Sequence, residues 1–174
     1  YASQQEQKNE AIKGLLRCQY KAENGVEASK TAVLILAEKN SATDDILMAN
    51  MALYHQTIAQ KDTTRALQIL NTVLKSNSSM YTAEAHYLIA SIYFNQQKYN
   101  IAEKTAFDVI KKQASYEFWV TKSYILLGDI YLAQNDNFNA IATYKSIAEN
   151  ATIPALQQIA SDKLKAITEN IKAQ

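Results

Sequence analysis

Proline and glycine are nearly missing from this chain: one Pro and three Gly stand among 174 residues. With a hydrophobic content of 48%, so small a supply of chain-breaking residues points to a mostly helical protein with tight connections. Cysteine is reduced to Cys18, which excludes an internal disulfide framework and a cysteine-based zinc site. Neither sign of charge is in excess. Eighteen basic against 17 acidic side chains leave +1, without the electrostatic footprint of a binder of nucleic acid or anionic membrane. No apolar run approaches the ~18 residues that read as a bilayer span. A Ser-centred nucleophile motif and a Gly-rich nucleotide loop are both absent. The chain opens on Tyr1 and a mostly polar stretch over residues 1–8, from which we expect a fragment or processed product of a longer protein.

What is present is a period. Ala28, Ala66, Ala102 and Ala140 recur at intervals of 38, 36 and 38 residues, each inside an apolar helical pattern and each preceded by another such pattern. Two helices per unit at this spacing mark an α-solenoid, in which no unit buries its apolar face alone. Apolar spacing predicts helices at 3–22, 26–39, 44–59, 63–76, 80–96, 99–112, 116–134, 138–149 and 154–172. The pairs Asn24-Gly25, Lys61-Asp62, Gln97-Lys98 and Asn135-Asp136 read as short turns within helix hairpins. Thr43 or Asp44, Ser79 and Ser115 are the expected N-caps, and Pro154 suits a first helical turn. The last segment places Leu156, Ile159, Ala160, Leu164, Ile167 and Ile171 on one stripe, with Gln157, Gln158, Asp162, Lys163 and Lys165 opposite. That is the form of a solvating terminal helix.

The units resemble the tetratricopeptide repeat. The fourth fits its pattern best, with Tyr124, Leu127, Gly128 and Tyr131 on the first helix and Ala140, Tyr144 and Ile147 on the second. The third supplies His86, Ile89, Ala90 and Tyr93, then Ala102, Ala106 and Val109. The first supplies Ile12, Leu15, Leu16 and Gln19, then Ala28, Ala32 and Ile35. The second departs most, with Asn50, Leu53, Tyr54 and Thr57 before Ala66, Leu70 and Val73. Leu16 and Tyr54 stand where the family has a small residue, and the period exceeds the family's 34 residues.

The resemblance implies an all-α, right-handed α-α superhelix: four hairpins over about 9–43, 47–80, 83–118 and 121–152, with a capping helix at 154–172, in one domain over 1–174. It implies a non-enzymatic scaffold that holds a protein or peptide partner in its concave groove, without cofactor or metal. The alternative is a structural spacer within a larger envelope protein, its partner being further repeats of the same protein. The run over 81–150 is similar to the C-terminal repeats of bacterial cell-envelope tetratricopeptide proteins, which implies a periplasmic or envelope setting. Carried over by register, the concave face includes Lys13, Arg17 and Lys21 from the first repeat and Met48, Met51 and His55 from the second. Tyr87 and Phe94 come from the third, Lys122 and Asp129 from the fourth. A basic end thus leads to a Met- and aromatic-rich middle, suited to a segment with an acidic group beside apolar anchors. The family's carboxylate clamp for chaperone tails is not matched, since Ala52, Glu84 and Leu88 stand at its positions.

Other candidates read as structural. Gly128 lies mid-helix, where it costs ~1 kcal/mol against Ala, so close approach of a second helix is expected there. His55 and His86 lie on different units with no partner at ligand spacing, so no metal site is expected. His86 is expected to be a satisfied, partly buried imidazole and His55 to face a partner. Cys18 reads as apolar filler, and Asp44-Asp45 as an acidic helix start that favours the dipole.

Overall fold

The computed structural model describes residues 2–22, 24–38, 41–76 and 79–172. Among them every regular element is an α-helix: α1 (Ala2–Lys21), α2 (Gly25–Ala37), α3 (Thr43–Ala59), α4 (Thr63–Val73), α5 (Met80–Asn95), α6 (Tyr99–Lys112), α7 (Glu117–Ala133), α8 (Asn137–Asn150) and α9 (Pro154–Lys172). These match the segments expected from periodicity to within about three residues at each end. The chain divides into two compact units, Tyr1–Asn77 and Ser78–Gln174.

The repeat is visible in its turns. At three of them one residue adopts the left-handed conformation, Lys61 (φ 63°), Gln97 (φ 58°) and Asn135 (φ 62°). The next residue's N–H then reaches back five positions: Asp62 to the Thr57 carbonyl, Lys98 to Tyr93 and Asp136 to Tyr131, at 3.2, 2.9 and 2.8 Å. Asn24 makes the same bond to Gln19 at 3.0 Å. This is the Schellman closure, which satisfies carbonyls orphaned at a helix end. The residue that closes one helix also caps the next. The side chains of Asn24, Asp62 and Asp136 accept from the N–H three residues on, at 3.5, 3.0 and 3.1 Å. Four residues beyond each cap comes the periodic alanine, and Ala28, Ala66, Ala102 and Ala140 are all buried. A methyl is what a close helix crossing admits.

Two expected caps differ. α3 starts from Ala42, with no side-chain cap bond, so Thr43 and Asp44 are already inside the helix. α7 starts from Tyr116, also without a side-chain bond, and Ser115 lies outside it. Ser79 does cap α5, in a reciprocal box with Thr82: the Thr82 N–H donates to Ser79 Oγ at 3.2 Å and the Ser79 N–H to Thr82 Oγ1 at 2.7 Å.

In the first unit α3 packs on α1, α2 and α4. Nine of its residues are buried, including Leu47, Met48, Met51 and Tyr54. In the second unit each helix packs on the next, and α7 also meets α5 and α9. One cluster gathers Ala90, Ala102, Ala106, Leu126, Leu127 and Ile130. The other gathers Ile125, Ala140, Tyr144, Ile147, Leu156, Ala160 and Ile167. α7 feeds both, which explains why its apolar residues surround the helix instead of forming a stripe. α9 buries Leu156, Ala160 and Ile167 on α8 as expected, but Ile159 is 43% exposed; the side chain of Ile171 lies outside the described part.

Of the three glycines, Gly128 is the one that sits in a close helix crossing. A Cβ there would lie 2.8 Å from Cζ and 2.9 Å from Cδ1 of Tyr144, inside the van der Waals envelope of a ring that is wholly buried. Gly14, by contrast, faces open space.

Candidate partner-binding surface

In the second unit α7 begins with Glu117, Phe118 and Trp119, while Thr121, Ser123 and Ile125 turn inward. One turn on from Phe118 stands Lys122, placed by the i, i+4 relation on the same face. Tyr87 of α5 completes the group. Phe118 and Trp119 meet edge to face with centroids 4.9 Å apart, and Trp119 and Tyr87 lie 5.5 Å apart, tilted at 38°. The Lys122 ammonium sits 4.5 Å from the Tyr87 centroid, 5.0 Å from Trp119 and 5.5 Å from Phe118. Three ring faces within about 6 Å of one ammonium form a cation–π cluster. Phe118 keeps 44% of its surface exposed, whereas Tyr87 and Trp119 are half-buried.

Burial lowers the Lys122 pKa below the ordinary lysine value, an effect partly offset by the negative charge of Glu84 on α5. Tyr87 is moved the other way: burial raises its phenol above 10, and its hydrogen bond with Ser91 opposes the rise. Among the described residues no carboxylate lies within ion-pair distance of Lys122.

Only Tyr87 and Lys122 of the expected concave residues are brought into this cluster. Phe94 stacks at 5.9 Å on Tyr99 of α6 and joins the core of the unit. Asp129 faces inward work: it accepts from the Tyr144 hydroxyl and from Lys163, both at 2.6 Å. Its charge is therefore already matched within α7, α8 and α9.

In the first unit, two cations of the expected basic end pair with a buried acid. Asp45 is 4% exposed, and its carboxylate takes Arg17 at 2.9 Å and Lys13 at 3.6 Å. Lys13 also bonds Glu10 at 2.8 Å, and this bond, ahead of the attraction of Asp45, raises its pKa. Thus Asp44 is the exposed helix-start acid that was expected, but Asp45 is the internal counter-ion of two cations assigned to a partner. Lys21 is exposed. Met48 and Met51 are 7% and 0% exposed, so neither can be offered to a ligand, because α3 is flanked by three helices. His55 is exposed, with its ring 5.1 Å from Tyr54 and 5.6 Å from Tyr20. Cys18 is exposed too and fills no core position. Several apolar residues of this unit are also uncovered, among them Val26, Val33 and Leu34, each more than half exposed.

His86 behaves as expected. Its Nδ1–H donates to the Thr82 carbonyl at 3.0 Å, and burial lowers its pKa, with the backbone bond opposing. A depressed histidine means that the unfolded chain takes up the proton first. The contribution of His86 is therefore present above pH ~6.5 and lost as pH falls through the folded-state value. In urea titrations between pH 7.5 and 5, His86→Gln is expected to lose less stability than wild type. Parallel slopes for the two proteins would show that the imidazole is not held neutral.

Phe118 and Trp119 escape register-based assignment because they precede residue 121, where the expected register of the fourth repeat begins. The signal was nevertheless in the chain: adjacent aromatics followed by a lysine one helical turn away. Comparison with protein-family models, with curated proteins and with solved structures gave no match. What the geometry defines is an all-α chain of neighbour-packed helices with a recurring turn. Among the described residues no helix is long and apolar enough to cross a membrane, and no group of three or more His, Cys, Asp or Glu is placed to hold a metal ion.

Proposed function

We propose that this chain is a tetratricopeptide-like interaction scaffold that binds a peptide segment of a protein partner, and that the segment docks on the α5–α7 face of the second unit. The observation that carries this reading is the partly exposed Tyr87–Phe118–Trp119 cluster around Lys122. Trp and Tyr are among the residue types that dominate binding energy at interfaces, and aromatic side chains in general are enriched there. Here they project from helices whose other faces are locked in two cores, so little ordering cost is left to oppose association. Recognition without chemistry suits a chain that offers no nucleophile motif, and an envelope setting follows only from the sequence resemblance.

Trp119 is the one tryptophan in the chain, so its fluorescence reports on this face directly. Peptides selected from a random display library on the intact chain are expected to shift Trp119 emission. Phe118→Ala should weaken their binding about tenfold or more, the effect of losing an interface anchor. Phe138, 81% exposed on α8, supplies the control, and Phe138→Ala should bind like wild type. Binders indifferent to Phe118 would move the site elsewhere. A library with no binders would leave the spacer reading, in which the helices only hold other parts of a longer protein apart.

A further inference from the structure

We infer that Lys122 is the point at which this surface recognises an acidic side chain, so that the bound segment carries Asp or Glu beside the apolar residue that covers Phe118. The inference rests on the docking reading above and names the chemistry of its ligand.

Three features of the site point to an anion. The ammonium of Lys122 is held by ring faces, which attract its charge but accept no conventional hydrogen bond. No described carboxylate pairs with it. The ring faces hold the ammonium on a half-buried part of α7, where burial disfavours its charge and the charge of Glu84 offsets this only in part. A lysine ammonium has three donors and no acceptor, and a half-buried one has lost part of the water that would occupy them. An incoming carboxylate restores these hydrogen bonds in a charge-assisted form. The other cations expected to attract an acid are differently placed: Lys13 and Arg17 already share Asp45. Complementarity within the aromatic cluster therefore selects an acidic segment. A basic one would meet the like charge of Lys122, held 4.5–5.5 Å from the centroids of the same rings. The half-exposed Phe118 ring, next to Lys122 on α7, sets the apolar neighbour: the two recognition elements lie one helical turn apart, a spacing that residues i and i+2 of an extended peptide, whose side chains share a face about 7 Å apart, can reach together.

The test uses the selected peptides and their amide counterparts on the full chain. Asp or Glu should be enriched at one position, two residues from an aliphatic or aromatic one. Changing that acid to Asn or Gln in the synthetic peptide should weaken binding to wild type about tenfold, read from Trp119 emission. Against Lys122→Met, which keeps the apolar stem, the acid and amide peptides should bind within about twofold of each other. Lys122→Arg should retain the preference for the acid. The peptide-side change leaves the protein untouched, so a misfolded variant cannot imitate the result. Equal binding of acid and amide peptides to wild type, a tenfold difference that persists on Lys122→Met, or enrichment of Lys and Arg would each overturn the inference. Binding that still depends on Phe118 in those cases leaves the docking surface standing, whereas binding independent of Phe118 removes both.

Discussion

Gly128→Leu is expected to destabilise the second unit by about 3 kcal/mol, the upper end of what overpacking costs. At an exposed helical site the same change would stabilise by up to ~1 kcal/mol, because glycine is a poor helix former. The sign therefore reports the packing. Even a methyl at Gly128 would overlap the Tyr144 ring, which is wholly buried and tied through its hydroxyl to Asp129, so it cannot swing aside. Urea unfolding followed by Trp119 fluorescence reads the unit in question. A compensating pair sharpens the test: Gly128→Ala should lose much less in a Tyr144→Leu background than alone, since contacting residues are not additive. If Gly128→Leu unfolds at the wild-type urea concentration or above it, the α7–α8 crossing is looser than described.

Asp129→Ala should cost about 1–3 kcal/mol, because it leaves the Tyr144 hydroxyl buried without its acceptor and releases Lys163. Tyr144→Phe, which removes the donor together with its need for a partner, should cost only about 1 kcal/mol. This ordering distinguishes an internal network from a partner-facing carboxylate, for which both changes would leave stability alone. The network also fixes an alkaline limit. Burial first, then the bond to the Asp129 carboxylate, pushes the Tyr144 phenol far above its ordinary value of about 10. The unfolded chain therefore loses this proton first. The contribution is complete below pH ~10 and is lost as pH rises towards the folded-state value. Tyr144→Phe should flatten that decline, measured as unfolding midpoints between pH 8.5 and 11.

Two consequences concern where function resides. Lys13, Arg17 and Asp129 read as surface charges in a repeat register, yet each is spoken for inside its own unit. The cluster that remains open was half assigned: Tyr87 and Lys122 by register, while Phe118 and Trp119 fall outside it. Register arguments work on positions, and a contact between α5 and the first turn of α7 joins residues some thirty positions apart.

From the chain itself came the helices and their order, since apolar spacing and the near absence of Pro and Gly are local properties and act within a few turns. The periodic alanines, the turn pairs ending in Asp62, Lys98 and Asp136, and the close approach at Gly128 were legible for the same reason: each is a constraint one position imposes on its neighbours in a recurring unit. Tertiary structure alone decided which side chains are spent. Whether a lysine faces solvent, a buried Asp45 or a ring depends on which helix lies against it, and whether Met51 is a surface or a core residue depends on how many helices flank α3. Local pattern places a residue on a helix face. Only the packing of that face against others sets its charge balance, its burial and so its availability.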